Sequence, residues 1–549
     1  MDKILILDFG SQTTQLIGRR IREFGVYAEI HSGDAALTPE LLSGVKGIVF
    51  SGSPSSVYEP GSPAPDPAVY KAGLPLLGIC YGLQRMTVDH GGTVEAMGER
   101  EYGGVAVSVD ARAVPAGAGQ AAAFLAGFPR STSSAGSARS VDSAASAASA
   151  GPRSFTAWMS HGDSVTVLAP GFRQVGVSDH GHPAVVVHGE HPWFGLQFHP
   201  EVTHCQGGSD ILKAFAMDVC GAQAQWTMEQ YVEEVRASLA ERVGKNPVLL
   251  LISGGVDSTV AGALLLKTLD PGQVHLMYMD TGLMRKDETI IVKANLERLG
   301  AAHLHIIHCE SDFLTALKGL SEPEQKRKAI GDLFMTVQER EVARLGLPDS
   351  YFLAQGTLYT DLIESGKGVG KKAHVIKSHH NVRSPLVEAK RNAGRIIEPL
   401  DRLYKDEVRA LGRILGIDED VVMRHPFPGP GLAVRILGEV TKEKCDILRE
   451  ADAIYIGELK KRGLYRHIWQ AFAVLLPIRS VGVAGDVRKY GWVLALRAIV
   501  SEDGMTADVY PFPMKDLIEI STLITNTVKD IGRVTYDISS KPPATIEWE

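Results

Sequence analysis

A loop of six residues near the middle of the chain, Ser253 to Ser258, has the residue types that bind phosphate. The apolar run Val248 to Ile252 before it predicts a buried strand, and the pattern from Ser258 to Leu269 after it predicts a helix. In such a strand–turn–helix unit, glycines let the backbone approach an anion, and the helix N-terminus adds N–H donors and partial positive charge. A simple Gly-Gly turn is the alternative, but the agreement of strand, loop and helix favours a phosphate site.

The loop lacks the Walker A spacing and its lysine, so it suits pyrophosphate as a leaving group better than transfer of a terminal phosphoryl group. The sequence SGGVDS resembles the PP-loop of enzymes that split ATP into AMP and pyrophosphate to activate an oxygen atom. The residues expected to bind ATP in and beside this loop are Ser253, Gly254, Gly255, Val256, Asp257, Ser258 and Thr259.

A second set of residues has the types needed for nucleophilic catalysis. Gly78 to Gly82 is a G-x-C-x-G nucleophile elbow, in which the glycines permit a sharp strand-to-helix turn that exposes Cys80 at a helix N-terminus. A cysteine nucleophile needs a base and a group that orients the base. His199 and Glu201, two residues apart on one face of extended chain after the apolar run Phe194 to Phe198, can supply both. Each residue alone has an ordinary structural explanation, but together they predict a catalytic triad.

This part of the chain resembles the class I glutamine amidotransferases. The resemblance implies that Cys80 attacks the side-chain amide of glutamine, that His199 acts as general base and then acid, and that Glu201 orients His199. It also implies an oxyanion hole and glutamine pocket built from Gly52, Ser53, Tyr81 and Gln84. The family usually has Gly-Gly-Pro where this chain has Gly52-Ser53-Pro54, and the run from Ser160 to Asp163 also matches a family pocket segment.

Further candidates for the ATP site follow the PP-loop. Asp280 ends the predicted strand Val274 to Met279, a position where acidic residues meet ribose or adenine. The resemblance adds Gly356, and it adds Lys377 in a Gly-, Lys- and His-rich segment that suits a lid. ATP chemistry needs Mg²⁺ held by carboxylates, for which the candidates are Asp257, Asp361 and Glu364. Three alternating histidines, His303, His305 and His308, are interpreted as strand-face residues and not as metal ligands.

The C-terminal part carries two further signatures, the PG-rich loop His425 to Gly431 and the closing sequence KPPATIEWE. With both catalytic motifs in order, they resemble the glutamine-hydrolysing GMP synthetase family over nearly the whole chain. The resemblance implies a homodimer formed through a third domain. It implies that xanthosine monophosphate (XMP) is bound by Arg327, Gln470, Arg533, Lys541, Ile546 and Glu547. Arg327 lies in a basic run whose alternative is a solvated helix face, and two prolines and a late tryptophan predict a docked C-terminus.

These motifs require elements that position them, and the composition is consistent with several folded domains. The 549 residues are 44% hydrophobic, which predicts a multidomain α/β protein with two doubly wound parallel-sheet domains and a small α/β dimerisation domain. The predicted boundaries are 1–220, 221–424 and 425–549. The Ala/Ser/Gly-rich stretch 111–154 is the exception, because such composition cannot bury a core and predicts disorder or poor packing.

The totals exclude several classes of protein. The net charge of −7 argues against nucleic-acid binding, and no apolar run is long enough to span a membrane. Five cysteines without a C-x-x-C pair fit a reducing cytoplasm. Two alternatives to a GMP-forming ligase remain: another glutamine-dependent PP-loop enzyme, such as one that makes NAD from its deamido precursor, and a non-catalytic protein with relic sites. The C-terminal signature argues against the first, and the intact Cys80, His199, Glu201 and Asp257 argue against the second.

Overall fold

The computed structural model describes residues 1–114, 119–129, 152–364, 385–484, 487–501 and 506–549. The described chain forms two compact units. Among the described residues, the first contains Met1–Tyr231 and residues 360–364, and the second contains Val232–Tyr359 and those from residue 385 onward. The proposed lid and Lys377 lie outside the described residues.

Within the described residues, the first unit is built on a nine-stranded sheet with the order β2-β1-β3-β4-β9-β8-β7-β5-β6. Its strands are β1 Lys3–Asp8, β2 Tyr27–Ser32, β3 Val45–Phe50, β4 Leu76–Ile79, β5 Thr93–Val109, β6 Arg153–Val167, β7 Phe172–Ser178, β8 Pro183–His188 and β9 Trp193–Leu196. Its helices are α1 Thr14–Glu23, α2 Pro39–Leu42, α3 Tyr81–Asp89, α4 Gly119–Ala126 and α5 Gly208–Lys213, and α5 continues into a π-helical turn, Ala214–Val219.

The strands from β2 to β9 pair in parallel, and those from β9 to β6 pair antiparallel. The apolar residues of β1, β3, β4 and β9 are buried because helices cover both faces of a parallel sheet. The carboxyl ends of β4 and β9 therefore meet at one edge, where Cys80 and His199 follow them.

The Ala/Ser-rich stretch is better ordered at its start than its composition predicts. Residues 119–129 form α4 and the turn after it, and Phe124, Leu125 and Phe128 are buried in the first unit. The prediction of poor packing is wrong for this part, because three large apolar side chains in a short segment are enough to anchor a helix. Residues 115–118 and 130–151 lie outside the described residues.

The second unit contains a five-stranded parallel sheet with the order β12-β11-β10-β13-β14. Its strands are β10 Val248–Ile252, β11 Val274–Asp280, β12 His303–His308, β13 Phe352–Ala354 and β14 Ile396–Ile397. A smaller, mainly antiparallel sheet near the C-terminus consists of β15 Gln470–Ala484, β16 Val487–Val500, β17 Asp508–Val509 and β18 Ile531–Tyr536. The α/β fold class confirms the prediction from the sequence. The sheet of the second unit is parallel throughout, as predicted, whereas that of the first unit is parallel from β2 to β9 and antiparallel from β9 to β6.

The remaining described helices follow in chain order. They are α6 Met228–Val243, α7 Val256–Thr268, α8 Glu288–Arg298, α9 Glu310–Leu317, α10 Pro323–Leu345, α11 Tyr359–Glu364, α12 Pro385–Asn392, α13 Lys405–Ile414, α14 Glu419–Val422, α15 Lys442–Lys461 and α16 Met514–Thr527. Among the described helices, none is long and apolar enough to cross a membrane.

The PG-rich loop His425 to Gly431 adopts neither helix nor strand up to Pro430, as predicted, and a 3₁₀ turn, Gly431–Arg435, follows. Gly431 has φ +63°, and a Cβ there would lie 2.3 Å from the carbonyl oxygen of Leu283. The next amide, of Leu432, donates to the same oxygen at 2.8 Å. The loop is therefore seated against the segment that follows β11, and only glycine permits this close approach.

One hydrophobic cluster in the second unit reaches across both of its sheets. It includes Leu249 and Leu353 of the parallel sheet and Leu448, Leu494 and Ile520 of the C-terminal elements. This shared core joins the parallel sheet and the C-terminal elements in one packed body, because a close-packed interior transmits the position of one element to the next.

Candidate active sites

The turn between β4 and α3 has the geometry of a nucleophile elbow. The backbone of Cys80 has φ +50° and ψ −105°, a conformation that residues other than glycine rarely adopt. A Cβ on Gly78 would lie 2.6 Å from backbone atoms of Gly82 and Leu83, and a Cβ on Gly82 would lie 2.5 Å from the carbonyl oxygen of Phe50. Both glycines are required for the turn, which holds the buried Cys80 at the N-terminus of α3.

The triad predicted from the sequence is assembled at this turn. Nδ1 of His199 donates to Oε1 of Glu201 at 2.7 Å, and both side chains are buried. Burial disfavours the charged imidazolium, but the carboxylate of Glu201 and the thiol of Cys80 outweigh burial and hold the pKa of His199 well above its usual value. The Nδ1–H of His199 is hydrogen-bonded to Glu201. The other ring nitrogen, Nε2, is therefore available for proton exchange with Cys80 and a substrate.

The predicted pocket residues surround the elbow. Gln84 is buried and its Nε2 donates to the carbonyl oxygen of Asp163 at 2.9 Å. A Cβ on Gly52 would lie 3.2 Å from Cε1 of His199, so the Gly52 backbone lies beside the His199 ring. Ser53 follows Gly52, and its hydroxyl accepts from the Ser55 amide at 3.2 Å. Tyr81 begins α3, so its amide is among the N–H groups at the helix N-terminus.

Two residues that the sequence analysis missed also contact this site. Nε2 of Gln197 lies 3.7 Å from Sγ of Cys80, and Oε1 of Gln197 accepts from Nε2 of Gln84 at 3.4 Å. Glu101 is buried and accepts from Ser178 at 2.8 Å, while its other oxygen lies 2.9 Å from Nε2 of His161. Gln197 stands two residues before His199, a spacing that could have identified it. Glu101 has no such local signal, because strand pairing alone brings it to the pocket segment.

The phosphate loop has the strand–turn–helix structure that the sequence predicts. Gly254 has φ +79°, and a Cβ there would lie 2.9 Å from the Val292 side chain. The loop is tied together by side chains, since the Ser253 amide donates to the Ser258 hydroxyl at 3.2 Å and the Thr259 hydroxyl donates to the Gly255 carbonyl oxygen at 2.8 Å. These bonds shape a concave backbone at the N-terminus of α7, which suits an oxyanion.

The tertiary structure brings two cations to this loop, although the loop itself has no lysine. Nζ of Lys405 lies 2.6 Å and 2.5 Å from the two carboxylate oxygens of Asp257. Nη1 of Arg424 donates to the carbonyl oxygen of Gly254 at 2.9 Å, and its Nη2 pairs with Glu288 at 2.5 Å. The sequence analysis missed both residues because they come from distant elements.

Other predicted ATP-site residues lie at the same end of the parallel sheet. Asp280 ends β11, next to β10, and its Oδ1 accepts from the Gly282 amide at 3.1 Å. A Cβ on Gly356 would lie 3.5 Å from backbone atoms of Asp257 and Ser258, so Gly356 lies against the start of α7.

The histidines of β12 are strand-face residues, as interpreted from the sequence. The ring of His275 on β11 stacks on the rings of His303 and His305, with centroids 4.5 Å and 5.5 Å away. Among the described residues, no cluster of three His, Cys, Asp or Glu side chains has the arrangement of a metal site.

The proposed magnesium ligands stay a prediction. Asp257 has the paired position described above, and Asp361 lies on α11. The side chain of Glu364 and all of Lys377 lie outside the described residues.

Four of the six residues expected to bind XMP meet at the C-terminal tail. Glu547 accepts from Nε2 of Gln470 at 2.7 Å, and the carbonyl oxygen of Ile546 accepts from Arg497 at 2.9 Å. Arg327 donates to the carbonyl oxygen of Glu549. The tail is docked, as predicted, and its neighbours include buried cations.

The remaining two expected residues lie elsewhere on the C-terminal elements. Arg533 is an exposed residue of β18, and Lys541 pairs through its backbone with Ala507 at 2.8 Å and 3.0 Å.

Three fully buried cations around the tail were missed by the sequence analysis. Lys326 pairs with the Glu549 side chain and donates to three backbone carbonyl oxygens, at 2.9–3.2 Å. The alternative explanation of the surrounding basic run, a solvated helix face, therefore does not hold for Lys326. Arg435 pairs with Glu547, and Arg497 donates to the carbonyl oxygens of Thr545 and Ile546. A basic or PG-rich segment does not show which of its cations is buried.

Comparisons with known proteins cover the whole chain. Residues 5–219 match the family described as "Glutamine amidotransferase class-I", and residues 457–548 match "GMP synthase C terminal domain". The chain is 46% identical over 549 residues to "GMP synthase [glutamine-hydrolyzing]" of Proteus mirabilis, with 100% of this chain and 98% of the relative covered. It is 44% identical over 550 residues to the protein of the same name from Enterococcus faecalis, again with 100% and 98% covered. Identity at this level along the full length of both proteins means that this chain belongs to the glutamine-hydrolysing GMP synthase family.

Proposed function

We propose that the protein is a ligase that makes GMP from XMP, with glutamine as the nitrogen donor and ATP as the activating substrate. The observation that carries this proposal is the buried triad in a chain that matches GMP synthases over its full length. A glutamine-derived nitrogen source and an ATP-splitting loop in one polypeptide form a complete amination system.

The first half-reaction takes place at Cys80. The thiolate attacks the side-chain amide carbon of glutamine, and the tetrahedral oxyanion is stabilised by backbone N–H groups near Gly52 and Tyr81. The C–N bond breaks as His199 gives a proton to the leaving nitrogen, which departs as ammonia. Water, deprotonated by His199, then hydrolyses the thioester and releases glutamate, while Glu201 keeps the ring oriented.

The second half-reaction takes place at the phosphate loop. The C2 oxygen of XMP attacks the α-phosphorus of ATP, and pyrophosphate leaves into the concave backbone from Ser253 to Thr259. Ammonia attacks C2 of the adenylylated purine. AMP leaves and carries away the oxygen that was bonded to C2 of XMP, and GMP is formed. Asp280, Gly356 and Lys377 belong to the same ATP site in this scheme.

Magnesium is the ion that such a site would hold. Carboxylate oxygens are the ligands that Mg²⁺ prefers, and Asp257, Asp361 and Glu364 would supply them. Held by these carboxylates, the ion would supply positive charge that offsets the charge of the ATP phosphates. Lys405 balances the charge of Asp257 at 2.5–2.6 Å, so the donor chemistry of this carboxylate is compatible with a cation.

XMP would occupy the region of the C-terminal tail. An Arg or Lys of the set Arg327, Arg533 and Lys541 suits its phosphate, and Glu547 with Gln470 suits its purine edge. Ile546 offers an apolar contact, since its side chain packs with Phe472 and Val474.

We infer a homodimer that forms through the third of three domains, 1–220, 221–424 and 425–549. Support comes from apolar side chains that are exposed on β15 and β16: Ile478, Val481, Val483 and Tyr490. Large apolar side chains that cluster on an exposed face are typical of an interface.

All five cysteines are free, which is consistent with a protein of the reducing cytoplasm.

A Cys80→Ala variant tests the two-site scheme. It should lose GMP formation with glutamine but keep GMP formation from XMP, ATP and ammonium salt at about the wild-type rate, because the second site remains intact. Product and pyrophosphate are both measured. Loss of GMP formation with ammonium as well, in a variant that unfolds like the wild type, would contradict the scheme.

A further inference from the structure

The carboxylate of Glu547 is held by more hydrogen bonds than its position near the end of the chain requires. Nε and Nη2 of Arg435 donate to Oε2 and Oε1 at 3.1 Å and 2.8 Å, which is a bidentate pair. Nε2 of Gln470 donates to Oε1 at 2.7 Å and also lies 3.3 Å from the carbonyl oxygen of Pro426. The Glu547 side chain nevertheless stays 18% exposed, so a ligand can still reach it.

Arg435 is itself fixed in place. Its side chain is 0% exposed, and its guanidinium lies 4.2 Å from the ring centroid of Phe472 and 4.9 Å from that of Phe427. Its backbone ends the 3₁₀ turn Gly431–Arg435, which Gly431 seats against Leu283. A planar guanidinium between two aromatic rings has little rotational freedom. The carboxylate that it binds is therefore held in one position.

Stability alone does not account for this pair. Desolvation of a buried Arg and a carboxylate cancels most of their attraction, and apolar residues of similar volume are often at least as stabilising. What the pair does supply is a carboxylate that points in one direction. Carboxylate oxygens accept hydrogen bonds, so they select a purine edge that presents an N–H donor, as the xanthine ring does at N1.

We propose that Arg435 is a positioning residue for XMP: together with Gln470, it holds the Glu547 carboxylate in the orientation that recognises the N–H edge of the purine. The inference rests on the proposed placement of XMP at Glu547. The PG-rich loop and the 3₁₀ turn after it both contribute to this arrangement, since the loop supplies the Phe427 ring and the turn supplies Arg435.

The test is an Arg435→Lys variant, which keeps the positive charge but cannot make the bidentate pair. We expect the KM for XMP to rise about tenfold, equivalent to about 1.4 kcal/mol, while kcat and the KM for ATP stay within about twofold of wild type. Ammonium salt is used as nitrogen donor, so that the glutaminase site does not enter the measurement. An unchanged KM for XMP, or equal increases in both KM values with a lowered Tm, would overturn the proposal.

Three further variants make the result specific. Arg413→Lys breaks a bidentate pair of the same geometry on the surface, with Glu419 at 2.9 Å and 3.0 Å, and should leave both KM values unchanged. Phe427→Leu removes a ring against Arg435 without changing the charge of Arg435 or Glu547, and it should raise the KM for XMP about threefold even if Arg435→Lys fails to fold.

Glu547→Gln separates the placement of XMP at Glu547 from the positioning role of Arg435. If it leaves the KM for XMP unchanged, the placement of XMP at Glu547 is wrong; if it raises that KM while Arg435→Lys and Phe427→Leu do not, only the role of Arg435 is wrong.

Discussion

Nζ of Lys405 lies 2.6 Å and 2.5 Å from the two carboxylate oxygens of Asp257, in the first turn of the helix that follows the phosphate loop. The pair joins residues 148 positions apart in the chain and places a positive charge beside a loop that has no cation of its own. Without Lys405, the Asp257 carboxylate would keep only the proposed Mg²⁺ to offset its charge, and it would oppose the attraction of the helix N-terminus for phosphates.

A Lys405→Met variant should therefore bind ATP more weakly. We expect its KM for ATP to rise about tenfold or more, because the uncompensated carboxylate faces the substrate phosphates. The KM for XMP should change little, and both are measured with ammonium salt as nitrogen donor. Lys460→Met, which removes an exposed pair with Asp420, is the control and should resemble the wild type. An unchanged or lower KM for ATP in Lys405→Met would contradict this role.

A Glu201→Gln variant should lose glutaminase activity at least about a hundredfold, because the amide neither orients His199 nor stabilises its charge. Glutaminase rates and ammonium-dependent GMP formation are measured side by side. The ammonium-dependent rate should remain close to wild type, and equal losses in both assays would point to misfolding instead.

The pH dependence of the residual glutaminase activity tests the same pair. The pKa of His199 is raised well above 6.5 in the folded enzyme, where burial alone would lower it. Its protonated form is therefore present at neutral pH and is lost as the pH rises through the raised pKa. In Glu201→Gln the carboxylate that raises the pKa of His199 is gone, while burial still lowers that pKa. The loss of activity at alkaline pH should therefore occur at a lower pH than in the wild type. A profile that does not move would show that Glu201 does not set the protonation of His199.

A Gly82→Ala variant should disrupt the nucleophile elbow. The new Cβ would lie 2.5 Å from the backbone oxygen of Phe50, which has no freedom to move within the sheet. We expect a loss of about 1–3 kcal/mol in the unfolding free energy of the first unit, with loss of glutaminase activity. Gly98→Ala is the matched control, since a Cβ there meets no atom within 4 Å. Wild-type stability and activity in Gly82→Ala would show that the turn tolerates a side chain.

Acid should destabilise the second unit through His425. Burial lowers the pKa of His425 to about 4, and the charges of Arg285 and Arg409 act in the same direction. Its Nδ1 accepts from the Ala471 amide at 3.1 Å, so an added proton would face a donor. The unfolded chain binds the proton at a higher pH than the folded chain, so stability falls as the pH drops from 6.5 towards 4 and then levels off.

The contribution of His425 is at most about 3 kcal/mol, from a shift of about 2.5 pH units at 1.36 kcal/mol each. Urea unfolding at pH 7 and pH 5, followed by a tryptophan signal, measures it. A His425→Gln variant should lose most of this pH dependence, although it is less stable at pH 7. An identical slope with pH in the variant and the wild type would assign the effect to other groups.

Local sequence patterns predicted the chemistry of both sites because the residues that carry it are close in the chain. Gly78, Cys80 and Gly82 define one turn, His199 and Glu201 are two residues apart, and Ser253 to Thr259 form one continuous loop. The apolar runs before them are strands of parallel sheets, so the carboxyl ends that carry these residues were also predictable.

Predictions from average composition were wrong for segments in which a few buried residues decide the local structure. The Ala/Ser-rich stretch contains Phe124, Leu125 and Phe128, which bury a helix despite their surroundings. The basic run on α10 contains Lys326, which is fully buried because it faces backbone carbonyl oxygens and Glu549.

By itself, then, the sequence determined the two reactions, the triad and the phosphate loop, since each depends on residue types at short and fixed spacing. Only the tertiary structure decided which charges surround them: Lys405 at Asp257, Arg424 at Gly254, and Arg435 at Glu547, the last pair 112 residues apart. The physical reason is that an ion pair depends on distance in space, and packing of the shared core, not proximity along the chain, sets that distance.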